Sequence, residues 1–247
     1  MPSFRHGEVE IAYLDEGQGE PIVLVHGFAS TKEVNWVNPG WVRTLTGAAR
    51  RAIALDNRGH GASSTLYDPA DYAMPLMADD VRALLDHLGI ERADVMGYSM
   101  GGILTVSLLM THGDRVSRAV VAGVGATYFA SRSHRKGIAA ALRASDPSTI
   151  TDATHKAFRA FASQGGKDLL ALAACMSADR TMYTAEQLRA CATPVLVVAG
   201  ENDVQSGAPE PLAQAFADGR AVVVPRRDHM TAVGDKVYKQ AVLEFLG

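Results

Sequence analysis

Short runs of consecutive apolar residues recur along this chain: Pro21 to Val25, Ala52 to Leu55, Ala93 to Met96, Arg118 to Ala122, Pro194 to Ala199 and Ala221 to Val224. A strand with one wet face alternates polar and apolar residues. Strands that are apolar at successive positions are covered on both sides, as in a parallel sheet held between two layers of helices. The intervening segments supply such helices. Met77, Val81, Leu84, Leu85 and Leu88 fall at helical spacing and stop at Gly89, a residue suited to a left-handed cap. Gly101 to Met110 and Val233 to Phe245 also read as helical. Phe4 to His6 and Val9 to Asp15 form a hairpin pattern ahead of the parallel strands. The expectation is an α/β protein with a mostly parallel, mixed sheet of about eight strands and helices on both faces.

One stretch departs from this rhythm. Residues 126 to 190 contain no strand-like run but several helical ones: Ser133 to Arg143, Ile150 to Phe161, Lys167 to Met176, and a helix opened by Thr184 with Gln187 completing a capping box. This predicts a small helical cap, 126–190, inserted into a core made of 1–125 and 191–247.

Composition narrows the function. The 247 residues carry 24 Lys and Arg against 27 Asp and Glu, a net charge of −3, which offers no basic field for nucleic acid or anionic membranes. The apolar runs are far shorter than the roughly 20 residues of a membrane span. Cys175 and Cys191 match neither a disulfide framework nor a metal knuckle, and the histidines show no metal-ligand spacing, so no metal is expected. Gly123-Val124-Gly125 begins like a dinucleotide loop, but Tyr128 stands where the third glycine belongs, so no nucleotide cofactor is expected either. The polar first residues lack the apolar stretch of a secretory signal. The chain reads as soluble and cytoplasmic, with a small-molecule partner and no cofactor.

Gly97-Tyr98-Ser99-Met100-Gly101 fits G-x-S-x-G, with a short strand leading in and an apolar helix leading out. That context is what a nucleophile elbow requires, because a sharp strand-to-helix turn places the serine hydroxyl at the carboxyl edge of the sheet. A serine needs a base, and His229 follows the last strand. The imidazole needs a carboxylate, and Asp203 sits just past the strand Val195 to Ala199. Glu201 and Asp228 are the competing acids, although an acid adjacent to the histidine in sequence usually points away from it. Backbone N–H groups of Met100, directly after the serine, and of Phe28, in the turn His26-Gly27-Phe28, are placed to hold an oxyanion.

These motifs, together with Asp56-Asn57-Arg58-Gly59-His60-Gly61-Ala62-Ser63 after the next strand, resemble the α/β-hydrolases, specifically the small cap-bearing serine esterases and enol-lactonases. The resemblance runs nearly the whole length and implies the α/β-hydrolase fold. It implies a Ser99, Asp203, His229 triad and an oxyanion hole at Phe28 and Met100. It makes Asp56 and Arg58 scaffolding, with His26 bonding to the oxyanion loop. Trp36, Tyr98, Phe158 and Phe161 are candidate pocket residues, although core packing explains Trp36, Trp41 and the two phenylalanines equally well. The basic run Arg132-Ser133-His134-Arg135-Lys136 reads as a wet helix face or an anion lure. The expected reaction is hydrolysis of a small to medium carboxylic ester or lactone. The same triad can run perhydrolysis, carbon–carbon bond hydrolysis or acyl transfer, or serve a slow-turnover ligand sensor. Epoxide hydrolases and haloalkane dehalogenases of this fold use Asp at the elbow, where this chain has Ser99.

Overall fold

A computed structural model describes residues 2–130 and 134–247 of the chain. Its strands are β1 (Ser3–His6), β2 (Val9–Glu16), β3 (Glu20–Val25), β4 (Arg50–Leu55), β5 (Ala93–Tyr98), β6 (Val116–Ala122), β7 (Val195–Gly200) and β8 (Gly219–Val224). The helices are α1 (Trp41–Gly47), α2 (Met74–His87), α3 (Met100–His112), α4 (Arg135–Arg143), α5 (Ala153–Ala162), α6 (Leu169–Ser177), α7 (Ala185–Arg189), α8 (Glu210–Ala213) and α9 (Lys236–Leu246). Among the described residues the strands form one sheet in the order β1-β2-β4-β3-β5-β6-β7-β8. The β1–β2 and β2–β4 pairings are antiparallel and the rest are parallel.

The pleat explains the uninterrupted apolar runs. Val23, Val25, Ile53, Leu55 and Val95 face a core shared with α2, α3 and α8. Their neighbours Ile22, Leu24, Ala52, Ala54 and Met96 face the opposite core, under α1 and α9. Successive residues on a strand point to opposite faces, so a sheet covered on both sides needs apolar side chains at every position. Edge strand β8 is half-buried or exposed except at Val224 and borders a single partner, β7.

Between β6 and β7 the described residues contain helices and no strand. Ile138, Ala139, Leu142, Ala162, Leu172, Ala173 and Met176 form a third, smaller apolar cluster with Ala29 of the loop after β3. These helices therefore pack over the carboxyl ends of the strands. The capping box is present: Gln187 N–H donates to Thr184 Oγ1 at 3.2 Å and Thr184 N–H to Gln187 Oε1 at 2.8 Å. Three helices start later than their apolar spacing suggests, α5 at Ala153, α6 at Leu169 and α9 at Lys236. In each an aspartate takes the N-cap, Asp152 accepting from His155 N–H, Asp168 from Leu170 N–H and Ala171 N–H, and Asp235 from Val237 N–H. Ser133, the expected start of α4, and Arg132 lie outside the described residues. No described helix is long and apolar enough to cross a membrane.

Candidate active site

Ser99 is the single residue between the last residue of β5 and the first of α3, and its backbone has φ 56° and ψ −115°. That region costs a non-glycine residue roughly 1–3 kcal/mol and persists where the surroundings impose it. The flanking glycines are what let the chain close around it. A Cβ on Gly97 would collide with the Gly101 carbonyl and the Thr105 hydroxyl, and one on Gly101 with the carbonyls of Val25 and His26.

His229 lies in the loop between β8 and α9. Its Nε2 is 3.0 Å from Ser99 Oγ, and its Nδ1 is 2.8 Å from Asp203 Oδ2. The Asp203 side chain is fully buried at the end of β7, and its other oxygen accepts N–H bonds from Gln205 and Ser206, each 3.0 Å. Burial opposes its ionisation most strongly, but the hydrogen bond and charge of His229, with the hydrogen bonds from Ser206, hold its pKa below the usual carboxylate range. The competing acids are engaged elsewhere. Asp228 accepts from Met230 N–H at 3.0 Å and Thr231 N–H at 2.8 Å, and Glu201 accepts from Arg226 N–H at 2.6 Å.

Met100 opens α3 directly after Ser99, and the first N–H groups of a helix have no partner within it. The facing loop is fixed from several sides. Gly27 N–H donates to Asn35 Oδ1 at 3.1 Å, a bond the sequence reading did not foresee. His26 Nδ1–H donates to the Gly27 carbonyl at 2.7 Å, while its Nε2 accepts from Asn57 N–H at 3.0 Å. That pattern suits one neutral tautomer, and burial lowers the His26 pKa accordingly. Asp56 accepts from Lys32 N–H and Ala62 N–H and pairs with the buried Lys32 ammonium, while Arg58 forks onto Asp80 at 2.7 and 2.6 Å. The Asp56-to-Ser63 turn is thus scaffolding that braces the loop carrying Phe28.

This serine, imidazole and carboxylate sit at the carboxyl edge of a mostly parallel sheet, and residues 20–143 match the family model described as the alpha/beta hydrolase fold. The chain belongs to the α/β-hydrolase fold family. This α/β-hydrolase is 34% identical over 113 residues to non-heme chloroperoxidase CPO-A1 of Kitasatospora aureofaciens, covering 46% of this chain and 39% of that protein. It is 35% identical over 115 residues to 2-hydroxymuconate semialdehyde hydrolase of Pseudomonas sp. strain CF600, covering 47% and 40%. The matches thus span about two fifths of these curated relatives. Over its whole length it superposes on a hydrolase from Pseudomonas aeruginosa PA01 with TM-score 0.84 and 27% identity, covering 100% of this chain and 98% of that one.

Two cavities of this α/β-hydrolase meet at Ser99 and His229. One is about 430 Å³ and the other about 300 Å³, and Phe28 and Phe158 line both. Phe161 and Tyr98 line the smaller one. Trp36 is a correction to the sequence reading. It is 0% exposed, packs edge-on against Trp41 and lines neither cavity, because both indoles lie in the core under α1 and α9. Arg180 and Asn35 do line the cavities and were missed. Among the described residues, no group of three or more His, Cys, Asp or Glu is placed to hold a metal ion.

Proposed function

We propose that this chain is a cofactor-independent serine hydrolase that cleaves a small to medium carboxylic ester or lactone through an acyl-serine intermediate. The observation that carries this reading is the alignment of Ser99 Oγ, His229 and Asp203 through contacts of 3.0 and 2.8 Å on a strained elbow. Ser99 Oγ attacks the carbonyl carbon as its proton passes to His229 Nε2. The Phe28 and Met100 amides receive the negative charge that builds on the carbonyl oxygen. The carbon–oxygen bond to the leaving group breaks as His229 returns the proton to the departing alkoxide. A water, deprotonated by the same imidazole, then attacks the acyl carbon and releases the acid and the free serine. Asp203 stays ionised throughout and orients the ring. We read the helices within 126–190 as a cap that shapes the substrate site. We place the protein in a reducing cytosol, which suits two free, buried cysteines.

The experiment is a time course of p-nitrophenyl ester hydrolysis across acyl lengths, with product counted per chain. Sustained turnover that disappears in Ser99→Ala supports the reading. Product that stops near one equivalent, with acyl mass on Ser99, transfers support to a ligand sensor. Turnover in the Ser99→Ala chain rejects the mechanism. The similarity to a protein named as a semialdehyde hydrolase favours carbon–carbon bond hydrolysis as the second reading. A vinylogous diketone consumed faster than any ester would make it the first.

A further inference from the structure

The larger cavity is lopsided in charge. Among the described residues, Arg180, Arg135, His134 and His155 line it together with Ser99 and Met100, against one acidic side chain, Asp152. Asp152 is engaged as the N-cap of α5, accepting from His155 N–H at 2.9 Å. The Arg180 guanidinium is held by weak or neutral acceptors: Met74 Sδ at 3.0 Å, the Cys175 carbonyl at 3.1 Å, Met100 Sδ at 3.6 Å and Cys175 Sγ at 3.7 Å. None of these partners is a carboxylate. Burial raises the Cys175 pKa, so the thiol stays uncharged and supplies no counter-ion. Arg135 donates to the Met176 carbonyl at 2.6 Å and also reaches the Cys175 carbonyl at 3.4 Å, so two guanidinium groups converge on one carbonyl.

We propose that Arg180 anchors a carboxylate-binding subsite in this cavity, so that the preferred substrates are esters or lactones of acids bearing a second carboxylate. The proposal rests on the serine-hydrolase reading and names its substrate class. The carbonyls at the end of α6 account for one or two of the cationic N–H groups, as at any helix C-terminus. A guanidinium has five donors in a planar fork that matches a carboxylate in bidentate fashion. Sulfur acceptors orient that fork without neutralising it. Like charges gathered in a cleft raise the local potential and draw in anions. Met100 sets the spacing, because its amide flanks the nucleophile while its sulfur touches Arg180. A bound carboxylate would therefore lie about one side chain away from the reacting carbonyl.

The test compares monomethyl glutarate with methyl pentanoate, followed by proton release, in the wild-type chain and in Arg180→Met and Arg180→Lys. The wild type is expected to favour the half ester in kcat/KM by roughly 10- to 100-fold, the range for a charge-assisted hydrogen bond. Arg180→Met should bring the ratio close to one, chiefly through KM, and Arg180→Lys should recover part of it. A wild type without preference, or a preference that survives in Arg180→Met, overturns the subsite. A binding measurement is independent of turnover and of how well Arg180→Met folds: glutarate should raise the melting temperature of the Ser99→Ala chain, and glutaramide should not. Glutarate stabilisation without ester turnover would keep the subsite and lose the esterase reading. Methyl pentanoate turnover with neither preference nor stabilisation would do the reverse.

Discussion

The Tyr98 hydroxyl donates a 2.6 Å hydrogen bond to the backbone carbonyl of His229, and the two rings lie 5.4 Å apart. The residue before Ser99 thereby holds the loop that brings the imidazole to the serine. Burial raises the Tyr98 pKa, so the phenol remains a donor at any working pH. Tyr98→Phe is expected to lower kcat by roughly 3- to 10-fold with little change in KM, the worth of one neutral hydrogen bond. Steady-state kinetics beside a melting curve checks this. An unchanged kcat would mean the loop is set by other contacts.

Ser99 carries its backbone strain whether or not it reacts. Ser99→Gly is expected to abolish turnover and to raise stability by about 1 kcal/mol, since glycine adopts a positive φ without steric cost. Ser99→Ala should abolish turnover without that gain. Urea unfolding of both variants beside the parent separates the two effects.

Asp203 and Asp228 flank the same imidazole in different ways. Asp203→Asn should lower kcat by roughly 10³- to 10⁴-fold, because the amide favours the wrong imidazole tautomer. Asp228→Asn breaks hydrogen bonds within an exposed loop and should cost less than about 10-fold. Equal losses in the two variants would remove Asp203 from its assigned role.

His60 is buried beneath the His26-Gly27-Phe28 turn and packs against Phe28 and His26. Burial, helped by repulsion from His26, lowers its pKa from 6.5 to about 3. Below pH 6.5 the unfolded chain takes up a proton that the folded chain refuses, so stability is lost as the pH falls from 6.5 toward 3. From pH 7 to pH 5 this histidine alone should cost about 2 kcal/mol. His60→Gln should flatten the dependence in urea titrations at the two pH values, and an unchanged slope would place the acid sensitivity elsewhere.

The sheet was legible because its physics is local. Side chains alternate across a strand, so an apolar residue at every position already demands cover on both faces, and β3 through β7 lie where those runs stand. The Thr184 capping box and the glycines around Ser99 were readable for the same reason. Each depends on a few neighbouring residues. Apolar spacing places the starts of α5, α6 and α9 too early, because it overlooks the N-cap aspartates Asp152, Asp168 and Asp235, all visible in the sequence. The order of Ser99, Asp203 and His229 at strand ends could be read. Their contacts could not, since they join residues 130 and 26 positions apart through loops that only the packed sheet brings together. Tertiary structure alone decided the rest. It sent Trp36 into the core rather than the pocket, set Asn35 against Gly27, and placed Arg180, in the coil after α6, at the wall of the cavity that Ser99 also lines. Composition and period fix which faces must be buried, but the direction a loop side chain takes depends on the shape of whatever packs against it.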